Sequence, residues 1–142
     1  MQYKRLEKNS DKDVGFLKEI HSMPEIKKHI TIDENNYWTY VTENENVFYY
    51  KCLQDEKIVA TLHIEVCETT AYLSILVLPE YQKKGIGSAM LKDVQNGLLV
   101  KDFETIEASI DETNIASIKL FEKCGFEFVE KEDELLTYIY KL

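Results

Sequence analysis

The residues Gln82-Lys83-Lys84-Gly85-Ile86-Gly87-Ser88 carry the chemistry most easily read from this chain. They follow an apolar run, Tyr72-Leu73-Ser74-Ile75-Leu76-Val77-Leu78, with the composition of a buried strand. They precede apolar residues at Ile86, Met90, Val94 and Leu98, which repeat like one face of a helix. Strand, glycine loop and helix start together make a phosphate cradle. Gly85 and Gly87 let the backbone approach an anion, and the unpaired N–H groups and positive dipole end of the helix point at it. Lys83 and Lys84 add positive charge at the same place. Two common phosphate loops are excluded, because no Gly-x-x-x-x-Gly-Lys-Ser/Thr occurs and Met90 stands where a dinucleotide loop needs its third glycine.

The elements that must position this loop follow from periodicity and turn residues. Residues 2–7 are expected as a strand, and Asp11 to Met23 as a helix with Val14, Leu17 and Ile20 on one face. Pro24 stands at the start of a second helix carrying Ile26 and Ile30. The stretch Thr31 to Asn46 has no assigned element; its Tyr37, Trp38 and Tyr40 suit core or hinge packing. Strands are expected near 47–54, 57–67 and 70–78, with turns at Asp55-Glu56 and Glu68-Thr69. Taking Glu68-Thr69 as a two-residue turn pairs Glu65 with Tyr72 and His63 with Ser74. A helix from Gly85 to about Val100 leads to a strand near 104–110, a right-handed parallel crossover whose ligand belongs at the carboxyl end of its strands. A helix from Asn114 to Lys123, a stop at Gly125 and strands near 126–131 and 135–141 close the chain. On that last helix Asn114, Ser117 and Phe121 share one face.

Two stretches carry a family resemblance. The loop resembles the Gln/Arg-x-x-Gly-x-Gly/Ala loop of the GNAT superfamily of N-acetyltransferases, and Val77-Leu78-Pro79-Glu80-Tyr81 looks like its Val-x-Pro-Glu-Tyr lead-in. Asn114-Ile115-Ala116-Ser117-Ile118-Lys119-Leu120-Phe121-Glu122-Lys123-Cys124-Gly125-Phe126 is similar to the family's second signature, an Asn-initiated helix ending in Gly-Phe. The resemblance implies one domain over residues 1–142 with the acyl-CoA N-acyltransferase fold. That fold is α/β in the mixed α+β sense: a twisted, mostly antiparallel central sheet of about seven strands with about four flanking helices. It further implies acetyl-CoA as cosubstrate, with direct attack of a primary amine on the thioester in a ternary complex. The backbone of Gln82, Lys83, Lys84, Gly85, Ile86 and Gly87, with Ser88, is then expected to hold the pyrophosphate. Leu76, Val77 and Leu78 are expected to pair with the pantetheine arm like an added strand. Asn114, Ser117, Phe121 and Lys123 are expected along the same ligand, Asn114 serving equally as a helix cap. Against core or hinge packing for Tyr37, Trp38 and Tyr40, the resemblance sets a substrate wall.

The reaction needs a neutral amine, a stabilised oxyanion and a proton for the departing thiolate. By resemblance the oxyanion donor is a main-chain N–H near Leu76 or Val77. Phe121 stands where many members carry the tyrosine that protonates the thiolate, so Ser117, Tyr81 or Cys124 becomes the candidate donor, or the thiolate leaves unaided. Ser74 stands near a position where some members carry a glutamate. His63, across from Ser74, has a pKa suited to taking the amine proton, and Glu65 on the same strand face can act through water. A hydrogen-bonded structural histidine is the competing assignment. The catalytic candidates are therefore His63, Glu65 and Ser117. The alternative function is an acetyl-CoA-binding regulatory or interaction domain with weak or no transfer.

Composition narrows the partners. Of 142 residues, 44% are hydrophobic and 30% charged, which fits a folded globular chain. A formal charge of −9 argues against a nucleic-acid backbone as partner. It suits a cationic acceptor, a small-molecule or peptide amine, although an acidic surface also serves solubility. Apolar runs are strand-sized and the first residues are polar, so no membrane partner and a cytoplasmic location are expected. Cys52, Cys67 and Cys124, like His21, His29 and His63, show no ligand spacing, and no metal is expected. The strand at 135–141 suits a dimer surface or a core, so a monomer or a homodimer is expected.

Overall fold

A computed structural model describes residues 1–142. Seven strands form one sheet: β1 (Gln2–Arg5), β2 (Val47–Gln54), β3 (Lys57–Cys67), β4 (Thr70–Val77), β5 (Thr105–Asp111), β6 (Glu127–Glu132) and β7 (Leu135–Lys141). Their order is β1-β2-β3-β4-β5-β7-β6. Every neighbouring pair is antiparallel except β4 with β5. Five helices flank the sheet: α1 (Val14–Ser22), α2 (Pro24–Lys27), α3 (Tyr37–Glu43), α4 (Ile86–Gln95) and α5 (Ile115–Lys123). The mixed, mostly antiparallel sheet is as expected. The helix count differs by α3, which forms in the stretch that carried no periodic signal and buries only Trp38 and Val41.

Turn chemistry sets the register. Asp55 and Glu56 both take positive φ, 50° and 67°, as a two-residue hairpin turn requires. Glu68 does the same at 55° between β3 and β4. The result pairs Glu65 with Tyr72 and His63 with Ser74, the register expected from the turn. The helix expected to reach Val100 stops at Gln95. Gly97 at φ 70° closes it by donating to the carbonyl of Val94 while Leu98 N–H donates to that of Asp93, the paired bonds of a Schellman cap.

Alternation along the strands makes two cores. One face carries Leu62, Ile64, Leu73 and Ile106 against Met90, Leu91 and Val94 of α4 and Phe121 of α5. The other carries Val47, Tyr49 and Leu76 against Leu17 and Ile20 of α1 and Trp38 and Val41 of α3. Lys51 of β2, 5% exposed, pins the entry to α1 through Asp11 at 3.0 Å and Asp13 at 2.9 Å. Removing either partner from such a pair leaves a buried charge short of compensation.

His21 of α1 lies in this second core among Tyr37, Trp38 and Tyr49. Its Nε2 meets the Tyr49 hydroxyl at 3.0 Å, and its Nδ1 is buried with no partner. Burial, aided by the nearby His63, pushes its pKa down to about 4. The unfolded chain therefore binds a proton at a higher pH than the folded one, and stability falls as pH drops from 6.5 to 4. That shift corresponds to about 3 kcal/mol. Chemical denaturation at pH 7 and pH 4 should show a loss of this order in the wild type. The His21→Leu variant should lack that part of the slope, and an unchanged slope would remove His21 as its cause.

Candidate active site

The strands β4 and β5 are hydrogen-bonded partners only at Thr70–Tyr72 and Thr105–Glu107. Beyond those pairs they part, although β4 stays paired with β3 as far as Val77 and β5 stays paired with β7 as far as Asp111. The edge of β4 from Leu73 to Val77 thus faces a gap with no strand in it. A cleft of about 790 Å³ opens there. Its walls are Ile75, Leu76 and Val77 of β4, the start of α4, the inner face of α5 and the end of α2.

At the mouth of the cleft the loop after β4 turns back into α4. Gln82 Nε2 donates to the Val77 carbonyl at 3.0 Å and ties the loop to the strand end. Lys83 at φ 63° and Gly85 at φ 82° supply the left-handed turns that aim the chain into the helix. No side chain caps α4, so the amides of its first turn have no partner in the helix and are left for an anion. Gly87 serves a second purpose. A Cβ at this position would stand 2.8 Å from Leu120 Cδ2, so the glycine lets α5 approach the cradle.

The opposite wall is the start of α5. Asn114 Oδ1 accepts from Ser117 N–H at 3.3 Å, and Asn114 also lines the cleft; capping and ligand contact are compatible. Ser117 and Lys123 line the cleft with it, as do Lys119 and Leu120. Of the charged residues in the lining, Lys28, Lys83, Lys119 and Lys123 are cationic and only Glu25 is acidic. Against a formal charge of −9 for the whole chain, this is a local reversal of sign that suits a polyanion.

Several expected residues lie elsewhere. Phe121 is 3% exposed and packs edge-on against Phe126, with ring centroids 4.9 Å apart. It does not line the cleft, because α5 ends in a Schellman cap in which Phe126 N–H donates to the Phe121 carbonyl, and the two side chains meet in the core. Leu78 is buried, and its amide is spent on the Val59 carbonyl at 3.0 Å. Lys84 turns back over the Tyr81 ring at 5.6 Å. His63 and Glu65 sit on the α3 side of β3, outside the cleft lining. His63 Nδ1 is 2.7 Å from the Tyr37 hydroxyl, and Tyr40 donates to Glu65. Burial lowers the His63 pKa, with Glu65 opposing. Both residues stand beside the neck where β4 and β5 separate, since Glu65 pairs with Tyr72 and His63 with Ser74.

Ile75 and the wall that follows α2, Lys28, His29 and Ile30, also line the cleft, with no motif to announce them. The turn of α2 continues past its last residue, with His29 and Ile30 amides donating to the Ile26 carbonyl. Lys28 and His29 help to hold the Asp111 carboxyl below its usual range, after the larger effect of Thr113. No spacing in the sequence links residue 29 to residue 111.

Residues 15–126 match the Acetyltransferase (GNAT) family. The chain belongs to this family. Among solved structures, this GNAT chain is similar to a domain from Methanocaldococcus jannaschii, with a TM-score of 0.83 and 22% identity over 99% of this chain and 97% of the other. It is also similar to the Campylobacter jejuni N-acetyltransferase PseH in complex with acetyl coenzyme A, at TM-score 0.75 and 13% identity over 99% of both chains. A third similar structure is the aminoglycoside acetyltransferase AAC(6')-Ib in complex with coenzyme A, at TM-score 0.79 and 14% identity over 99% and 94%. At such identities these likenesses show the GNAT fold. No curated protein matches the chain. No helix is long and apolar enough to cross a membrane.

The cradle makes a specific prediction about Gly87. In Gly87→Glu the new side chain pushes against Leu120 and brings a carboxylate to the anion site, so acetyl-CoA affinity should fall by about 100-fold or more with the circular dichroism unchanged. Adding Leu120→Ala relieves the crowding but not the charge and should not restore binding. Calorimetry showing wild-type affinity in Gly87→Glu would remove the loop from the site.

Proposed function

We propose that this GNAT protein transfers the acetyl group of acetyl-CoA to a primary amine by direct attack within a ternary complex. The observation that carries the proposal is the parting of β4 from β5 after three paired residues. It leaves a strand edge that leads to an uncapped helix start. A ligand with an amide-containing arm and a pyrophosphate fits both features at once. The arm pairs with the edge at Ile75 to Val77. The pyrophosphate meets the amides of Gly85 to Ser88, and Lys83, Lys119 and Lys123 offset its charge. When bound, acetyl-CoA supplies an activated acetyl thioester.

The chain's own residues then do three things. Of the two candidate main-chain donors, Leu76 and Val77, the N–H of Val77 faces the open edge, since the Leu78 amide is spent on β3 and backbone direction alternates along the strand. It is the donor available to the thioester oxygen. Ser117, in the cleft wall, holds a hydroxyl proton available to the departing sulfur. Glu65 and His63, the titratable groups of β3 beside the neck, are candidates to receive the proton that leaves the amine. Solved structures that share the fold are named as spermidine and aminoglycoside acetyltransferases, which supports a small amine as acceptor. We take the protein to act as a single domain, without a resident metal, in the cytoplasm.

A second reading, acetyl-CoA binding without efficient transfer, is favoured by one observation. Phe121 offers no hydroxyl and lies in the core, so the position that many family members give to a thiolate acid is empty of one here. Titration calorimetry with acetyl-CoA, and with ATP and NAD as controls, followed by amine-dependent thiol release, tests both readings. Selective micromolar binding with amine-dependent release is expected. Binding without release would favour the second reading, and equal affinity for the controls would sink both.

A further inference from the structure

The Tyr37 hydroxyl lies 2.7 Å from His63 Nδ1 and has no other hydrogen-bond partner. The Tyr37 ring is enclosed by His21, Trp38, Tyr49 and His63, and burial raises its pKa well beyond the ordinary phenol range. The hydroxyl therefore keeps its hydrogen near neutral pH. Tyr37 is half-buried, and with its O–H donating both groups are paired, whereas the reverse arrangement leaves the hydroxyl hydrogen with no protein acceptor. So Tyr37 O–H donates and His63 Nδ1 accepts. An uncharged imidazole that accepts at Nδ1 carries its own hydrogen on Nε2. That nitrogen has no protein partner and is not sequestered.

The location of this ring gives the tautomer a consequence. His63 pairs with Ser74, the second residue of β4 beyond the last β4–β5 pair. The groups around it are Tyr37 from α3, His21 from α1, Tyr49 opposite it on β2, Glu65 on its own strand and Ser74 from β4. Glu65 accepts from Tyr40 rather than from His63, so no carboxylate draws the His63 hydrogen back to Nδ1.

We propose that Tyr37 is a positioning residue that holds His63 as the Nε2–H tautomer, so that His63 meets the substrates at the neck of the cleft as an uncharged hydrogen-bond donor to oxygen. The proposal rests on the acetyltransferase reading above and changes the part His63 plays in it. A ring with hydrogen on Nε2 has its one free lone pair on Nδ1, where Tyr37 occupies it, so the proton of the amine goes to Glu65. A fixed neutral donor instead stabilises negative charge as it develops on an oxygen. Burial, which disfavours the doubly protonated ring, keeps the donor uncharged.

Nitrogen-15 NMR of protein labelled at its histidine rings tests this without turnover, the His63 signals being assigned by their loss in His63→Gln. At neutral pH the wild type should show a protonated Nε2 and an unprotonated Nδ1. In Tyr37→Phe the two tautomers should mix. Turnover gives an independent check. His63→Gln, whose amide donates but does not titrate, should stay within about threefold of wild type, and His63→Ala should lose about tenfold or more in kcat with little change in the KM for acetyl-CoA. A wild-type Nδ1–H tautomer, an unchanged tautomer in Tyr37→Phe, or Gln no better than Ala in an active enzyme would each overturn the proposal. Absence of turnover in the wild type with every amine would instead count against the acetyltransferase reading, and the spectra would still decide the tautomer.

Discussion

The short pairing of β4 with β5 is the constraint on which the rest of the molecule depends. Three residues on each strand are bonded, and then two otherwise well-paired strands diverge. Each can do so because it keeps a full partner on its other side, β3 for β4 and β7 for β5. The cost is a row of main-chain donors and acceptors on the inner edges that must find water or a ligand. Everything that makes the cleft specific is arranged around that unfilled row. The cradle of α4 stands at one end, the capped start of α5 along one side, and the turn after α2 on the other.

The two faces of the sheet divide the labour. Under α4 and α5 the core is almost wholly apolar and packs directly beneath the cradle. On the other face the core includes histidine, tryptophan and tyrosine rings at right angles or tilted to one another, with two ring nitrogens, His21 Nδ1 and Trp38 Nε1, left unpaired. Such groups cost stability when buried. They lie in the core beside His63. The Lys51 pairs with Asp11 and Asp13 anchor that core to the sheet at its first helix.

Much of the architecture was legible because local signals coincided. The polar turns fixed strand lengths, and Glu68-Thr69 was enough to place His63 opposite Ser74 and Glu65 opposite Tyr72. What failed had a physical reason in each case. The helix at Tyr37–Glu43 has seven residues, too few for a periodic pattern. Leu98 and Val100 continue an apolar pattern past the end of α4, but Gly97 at φ 70° closes the helix before them. Phe121 shares a broad helical face with Ser117, yet at about 100° per residue it lies roughly 40° beyond Ser117, on the side away from Leu120 and Lys119. The same Gly-Phe pair that marked the helix end also implied the contact that draws Phe121 inward. His29 could not be anticipated, since its place depends on how α2 docks near the end of β5.

The uncapped start of α4 also bears on how far this sequence can drift. Its binding groups are amides, identical whatever side chains they carry, so most substitutions in the loop leave the same donors in the same places. Only the positions that fix the backbone path are restricted: those at positive φ, such as Gly85, and the point of close approach at Gly87. The core beside the neck, made from side chains on α1, α3 and β2, has no such insulation. On the proposed function, mutation can therefore change which amine is accepted while the backbone path of the cradle stays intact.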